Sequence, residues 1–316
     1  MKKTAAVLLV LFICLLSSAA AQSYLEEVQA CELLSQGKID EALALLNRKL
    51  KYYPNNMDCK LYQGLAYYLQ GNFDRAKTTL SKLEAEVEQL SVSPASMTTD
   101  VTTADVNTIA AKGGSYFTKG RKGVLKFSLG ILYKKNKDYK NAEKRFEDAL
   151  KADYPEAHTR EQLITVYSYL KNYKKASKHL KKLQKAGESS DALTFMDGYI
   201  SYNLKDTGRA VQQFSGVSGI LLEAKRNLAI IHYNQGDYQK ALDVWLEILE
   251  ANPKDAPALR NSGRAYYHLG QKDKGQEQFN KAGLQMKVEK YSPKTIPLVL
   301  TDFFTDVTFD FMCQVK

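Results

Sequence analysis

Four histidines, His158, His179, His232 and His268, have the widest range of proton-transfer and metal-binding chemistry in this sequence. None lies in an H-E-x-x-H run, and no Cys/His pair has the spacing of a zinc site. A nucleophile elbow, G-x-S-x-G, is absent. The glycines Gly113 and Gly114 ahead of Lys122 lack the G-K-[ST] ending of a phosphate-binding loop. Acidic pairs such as Glu26-Glu27 and Asp40-Glu41 fall where a helix would turn them to solvent. These side chains point to no enzyme, no cofactor and no metal. The densest run of like charge is Lys174, Lys175, Lys178, Lys181, Lys182 and Lys185, which recur at helical spacing. Such a face is either solvated or an attractor of an anionic surface such as phospholipid, cell-wall polymer or an acidic protein.

The charge belongs to one region. Residues 119–185 hold 19 Lys/Arg against 7 Asp/Glu, whereas the whole chain carries 45 against 35. At the N-terminus, Lys2 and Lys3 precede an apolar run from Ala5 to Leu16, and Ala19-Ala20-Ala21 offers a small-residue cleavage site. That run falls short of the roughly 20 apolar residues of a membrane span. A signal peptide over 1–21 is expected, with a mature start at Gln22 and a periplasmic or envelope location. Leu11-Phe12-Ile13 ahead of Cys14 lacks the small residues of lipoprotein processing. Nucleic acid is not an expected partner of an exported chain. Cleavage leaves Cys31, Cys59 and Cys313, an odd count that argues against a disulfide framework. A Cys31–Cys59 bridge and two buried free thiols both remain open.

The elements that would position any site follow from an internal period. Ala42, Ala76, Ala142, Ala176, Ala210, Ala241 and Gly275 stand apart by 34, 66, 34, 34, 31 and 34 residues. Twelve positions earlier sits Gly64, Gly130, Gly198 or Gly263, with Ala30 and Ala229 as small substitutes and Ile164 as an exception. Four positions later sits Leu46, Leu80, Phe146, Leu180, Phe214, Trp245 or Phe279. Two helices cross closely where both carry small residues, and a bulky residue one turn on fills the space beside the crossing. Gly71, Gly236 and Gly270 supply turns with positive φ, and Pro54, Pro155 and Pro253 close helices.

With these marks in one register, the chain resembles the tetratricopeptide repeat (TPR) family over about 23–90 and 123–283. The resemblance implies an all-α fold, a right-handed superhelical solenoid of helix hairpins: two repeats over 22–90 and five over 123–283. The family's register further implies a concave, partner-binding face from the first helix of each hairpin. Carried over by position, it yields Leu61, Leu65 and Tyr68, then Phe127 and Ile131, then Glu161 and Tyr169. The later repeats give Phe195, Tyr199, Tyr202, Asn203, Arg226, Tyr233, Asn234, Arg260, Arg264, Tyr267 and His268. Tyrosine, arginine and asparagine suit recognition of a protein or peptide. The carboxylate clamp of the family's chaperone adaptors is not expected, because its positions carry Phe195, Tyr199, Pro257 and Asn261, with only Asn227 matching. The expected function is an exported adaptor in a cell-envelope complex; a small-ligand-binding accessory of a transporter is the alternative.

Two stretches leave the pattern. Residues 91–122 are rich in Ser and Thr and read as an insert, with a degenerate repeat as the alternative. Over 284–316, Ile296, Val299, Leu300, Phe303, Phe304 and Val307 fit a helical stripe, while Val307 to Val315 alternate with period two. A capping helix near 296–305 and an extended tail are expected. An exposed lone strand would be a pairing hazard, so the tail should pack on its own array or on another chain.

Overall fold

A computed structural model describes residues 26–92, 119–152, 154–217 and 221–304. The chain divides into two compact units, one reaching to Thr159 and one spanning Arg160–Phe304. The first holds α1 (26–35), α2 (Ile39–Tyr52), α3 (Met57–Leu69), α4 (Phe73–Val92), α5 (Lys119–Lys135) and α6 (Tyr139–Lys151). The division falls inside α7 (Glu156–Tyr169). The second continues with α8 (Tyr173–Lys185), α9 (Asp191–Asn203), α10 (Thr207–Gly216), α11 (Leu221–Gln235), α12 (Tyr238–Ala251), α13 (Ala256–His268) and α14 (Lys272–Lys281). No strand occurs among the described residues, and no described helix is long and apolar enough to cross a membrane.

Sequence neighbours pair as hairpins, α3 with α4, α5 with α6, α9 with α10, α11 with α12 and α13 with α14. The predicted crossings lie at their centres. A Cβ placed on Gly64 would stand 2.3 Å from Leu80, on Gly130 2.6 Å from Phe146, on Gly198 3.1 Å from Phe214 and on Gly263 2.7 Å from Phe279. At Gly130 and Gly263 an added Cβ would overlap the facing ring, and at Gly198 it would press on it, so the small residue is favoured by its bulky partner. Ala30, Ala229, Leu46, Leu80, Phe146, Phe214, Trp245 and Phe279 are buried.

Short turns link the helices. Asn56, Asp138, Asn172, Asp206 and Asp255 accept a hydrogen bond from the backbone N–H three residues on, satisfying a helix start. Gly71, Gly236 and Gly270 take positive φ as expected; the same turn position holds Lys137, Lys171 and Lys205, with φ of 58°, 57° and 73°. A left-handed conformation costs an L side chain about 1–2 kcal/mol, partly offset by the greater freedom glycine loses on folding. Replacing exposed Lys171 by glycine is therefore expected to stabilise the fold by about 0.5–1 kcal/mol, read as a higher urea midpoint at unchanged slope.

Within the first unit, buried charges are paired. Glu84 accepts from Lys126 Nζ at 2.7 Å and Arg145 Nη2 at 2.9 Å, tying α4 to α5 and α6. Lys49 reaches Glu27 at 2.9 Å, so α2 is pinned to α1. No disulfide joins Cys31 to Cys59, and burial pushes the Cys59 thiol up to about 12.

Two expectations change. Helix α4 runs to Val92 and α5 begins at Lys119, so both ends of the supposed insert are helical; 93–118 lie outside the described residues. The capping helix near 296–305 is not formed over its described part. A short 3-10 turn at Val288–Tyr291 caps α13 and α14, and 293–304 continue without helix. The alternating run from Val307 lies outside the described residues.

Candidate peptide-binding groove

The groove forms in the second unit, on the face of its first helices. Helix α11 carries Asn227 and Asn234 seven residues apart, which is two turns and about 10.5 Å of rise on one face. Three residues of extended chain cover about 10 Å. These lengths match, and residues 296–299 lie along α11 in the opposite direction. Asn234 Oδ1 accepts from the Ile296 N–H at 2.7 Å and its Nδ2 donates to the Ile296 carbonyl at 2.7 Å. Asn227 does the same at Val299, at 2.8 and 2.9 Å. Each amide reads one residue's main chain, independent of its side chain.

Other side chains extend the seat in both directions. Arg264 Nε donates to the Tyr291 carbonyl at 2.7 Å, and Tyr233 Oη donates to the Pro293 carbonyl at 2.5 Å. Tyr202 Oη accepts from Asn234 at 2.7 Å and steadies that amide. Toward the other end, Phe303 stands edge-on to Phe195 at 4.9 Å, and Thr165 Oγ1 donates to Asp302 at 3.2 Å. Side chains alternate: Ile296 and Leu298 are each 8% exposed, while Pro297 and Val299 face outward. Proline has no N–H to leave unmet, so Pro293 and Pro297 suit an extended segment. Burial drives the Tyr233 and Tyr199 phenols upward, so both stay protonated donors at neutral pH.

Of the expected groove residues, Phe195, Tyr202, Tyr233, Asn234 and Arg264 meet the segment or brace a residue that does. Others are spent within the fold. Arg226 Nη2 pairs with Asp255 at 2.5 Å, tying α11 to the start of α13. Asn203 donates to the Tyr199 carbonyl of its own helix at 2.8 Å, and Tyr199 stands edge-on to Tyr173. His268 stacks on Tyr238 at 4.5 Å, with Tyr267 against its edge. Tyr169 and Arg260 lie exposed at the rim. In the first unit Leu61, Leu65, Phe127 and Ile131 are buried core, because the family's position rule tracks the helix and not its neighbours. Sequence reasoning passed over Thr165, and over Asn227 as anything but a remnant of the carboxylate clamp. The repeated asparagine, seven residues before Asn234, was the signal available.

The lysine stripe lies on α8. Lys174, Lys175, Lys178, Lys181, Lys182 and Lys185 are all exposed, and the Lys175 ammonium sits 4.9 Å from the centre of the Tyr167 ring. Inside that helix His179 stacks on Tyr167, its Nδ1 3.1 Å from Arg160 Nη1. Burial first, then Arg160, Lys182, Lys178 and Lys175, push the imidazole down to about 4. An unfolded histidine titrates near 6.5, so below that pH the unfolded chain binds a proton the folded chain refuses. Stability is expected to be full above about pH 6.5 and to fall as pH drops toward 4. Melting temperatures at neutral and mildly acid pH check this, and His179→Gln should flatten the dependence. Among the described residues no group of three His, Cys, Asp or Glu could hold a metal ion.

Comparison with known proteins fits this architecture. A family model described as Intraflagellar transport protein 56 matches residues 126–292, more than half of the chain, and a Tetratricopeptide repeat model matches 33–91. A Photosystem I assembly protein Ycf3 of Prochlorococcus marinus is 30% identical over 112 residues, 31% of this chain and 64% of that protein. Its counterpart in Synechococcus elongatus is 44% identical over 46 residues, 15% of this chain and 27% of that protein. The chain thus spans less than two thirds of the curated relatives it matches. Among solved structures, a tetratricopeptide repeat protein from Parabacteroides merdae superposes with a TM-score of 0.55 at 13% identity, over 85% of this chain and 96% of the other. The APC/C hetero-tetramer Cut9-Hcn1 gives 0.52 at 13% identity, over 83% and 47%. These likenesses concern the fold. By its helix hairpins and by both family models, the chain is a tetratricopeptide-repeat protein and belongs to the family whose model is described as Intraflagellar transport protein 56.

Proposed function

We propose that this chain is an exported, non-enzymatic adaptor that holds an extended segment of another polypeptide along α11 and helps assemble a cell-envelope complex. The observation that carries the reading is the pair of asparagines gripping main chain at residues 296 and 299. A small solute would offer no second amide at that spacing, so a polypeptide ligand is favoured over a transporter's solute. TPR proteins bind peptides or proteins, and the curated relatives are named as assembly proteins, which accords with a role in bringing subunits together. Export rests on the N-terminal pattern alone. The lysine stripe would add electrostatic attraction to an anionic membrane.

A photo-crosslinkable residue placed at rim position Arg260 or Tyr169 in the source organism tests the groove. Adducts with a heterologous protein in the exported fraction, on a chain beginning at Gln22, are expected. Equal capture from a control position at Lys240, or a chain retained inside with its leader, would count against the groove or the export respectively. Cosedimentation with vesicles containing anionic phospholipid is expected to fall as salt rises; binding indifferent to salt and lipid charge would remove the membrane element.

A further inference from the structure

We propose that residues 291–304 are a resident competitor for this groove, and that the partner carries a segment of the same chemistry. That chemistry is an extended run that is uncharged where it matches Thr295–Thr301, aliphatic at two alternate positions and aromatic a few residues later. The inference rests on the groove reading above and adds the ligand class and its control.

The seat is built for such a segment. Asn227 is 0% exposed, and both polar ends of its amide are satisfied by Val299. From Thr295 to Thr301 the segment, T-I-P-L-V-L-T, has no charged residue. The amides fix position while the sockets for Ile296 and Leu298 and the Phe195 ring choose side chains. A charged residue at either socket would be buried without a partner, which excludes acidic and basic peptides from this stretch.

The competitor is tethered. Buried Val288 and the Arg264 bond to the Tyr291 carbonyl hold its start beside α13 and α14. A short tether gives an effective concentration of about millimolar. The apparent affinity of any outside ligand is reduced by the fraction of molecules whose groove is open. The tail of a second copy would make the same contacts while giving up that advantage, so the ligand that gains is a different protein with a better segment.

The test uses a fluorescent synthetic peptide spanning Ser292–Phe304 and the full chain. Wild type is compared with a tail-released variant, Ile296→Asp plus Leu298→Asp, whose groove is untouched. Release is expected to tighten peptide binding by about 10- to 100-fold. Adding Asn227→Ala to the released variant should abolish it. Equal binding by wild type and released variant overturns the competition and leaves the groove reading standing. No binding by a folded released variant overturns both. If the released variant loses its helical circular dichroism, amide exchange in wild type with excess peptide decides: faster exchange at Ile296 and Val299 supports displacement, and unchanged protection overturns it. Concentration-dependent dimerisation of wild type through its tails would also overturn it.

Discussion

Alanine at both Asn227 and Asn234 is expected to detach residues 296–299 while the helical hairpins stay folded. Were the segment to remain in place, the Ile296 and Val299 amides and carbonyls would lose partners, at about 1–3 kcal/mol for each buried group left unmet. Exposure to water is the cheaper outcome. Hydrogen exchange at these two amides should speed up by about two to three orders of magnitude, while the helical amides of α11 and α12 keep their protection. The single variants should not add, because either asparagine alone still limits the segment. Asn227→Asp is the informative control. It keeps the acceptor for the Val299 N–H but turns a carboxylate oxygen toward the Val299 carbonyl, so it should release the segment nearly as well as alanine. Protection unchanged in the double variant would mean that the apolar sockets hold the segment by themselves.

Leucine at Gly130 is expected to lower stability by about 3 kcal/mol or more, among the larger effects a point change can have in this fold. The added Cβ alone would meet three Phe146 ring atoms at 2.6, 2.7 and 2.9 Å, and the rest of the side chain has nowhere to go. Helices α5 and α6 must move apart, which would also disturb the Phe127 contacts with Phe146 and Tyr154. Urea unfolding reads the loss. Gly198→Ala provides the graded comparison, since its Cβ would stand 3.1 Å from Phe214 and only a small adjustment is needed. Combining Gly130→Ala with Phe146→Leu should recover part of the stability, because shortening the ring returns the space. An unaltered urea midpoint for Gly130→Leu would contradict the close crossing.

The hairpins were legible because their determinants are local. Gly130 and Phe146, or Gly263 and Phe279, lie sixteen residues apart and meet across one turn, so spacing alone names the pair. The left-handed turns at Lys137, Lys171 and Lys205 were not legible: the visible signal is glycine, and lysine tolerates the geometry at a cost that the hairpin absorbs. Three residues that register assigns to the partner face, Tyr233, Asn234 and Arg264, bond the chain's own 291–296 segment, whereas Arg226 is committed to Asp255, which register could not tell. That depends on where α13 starts, a matter of packing between repeats. The tail was misread because Ile296, Val299, Leu300 and Phe303 satisfy a helical stripe as well as an extended run. Pro297 did not decide between them, since proline is tolerated in a helix's first turn. What decides is Asn227 and Asn234, 72 and 62 residues away in sequence.

The direction of the bound run has a practical consequence. Because Tyr291 is held at α13 and Phe303 at α9, a client seated like the tail would enter with a fixed polarity. Whatever precedes the recognised stretch would emerge beside the final hairpin, and whatever follows it beside α7 and α9. On the groove reading proposed above, handling would be vectorial: a client with its recognition stretch at its own C-terminus would present its folded body past the last hairpin, whereas an N-terminal stretch would send the body the opposite way.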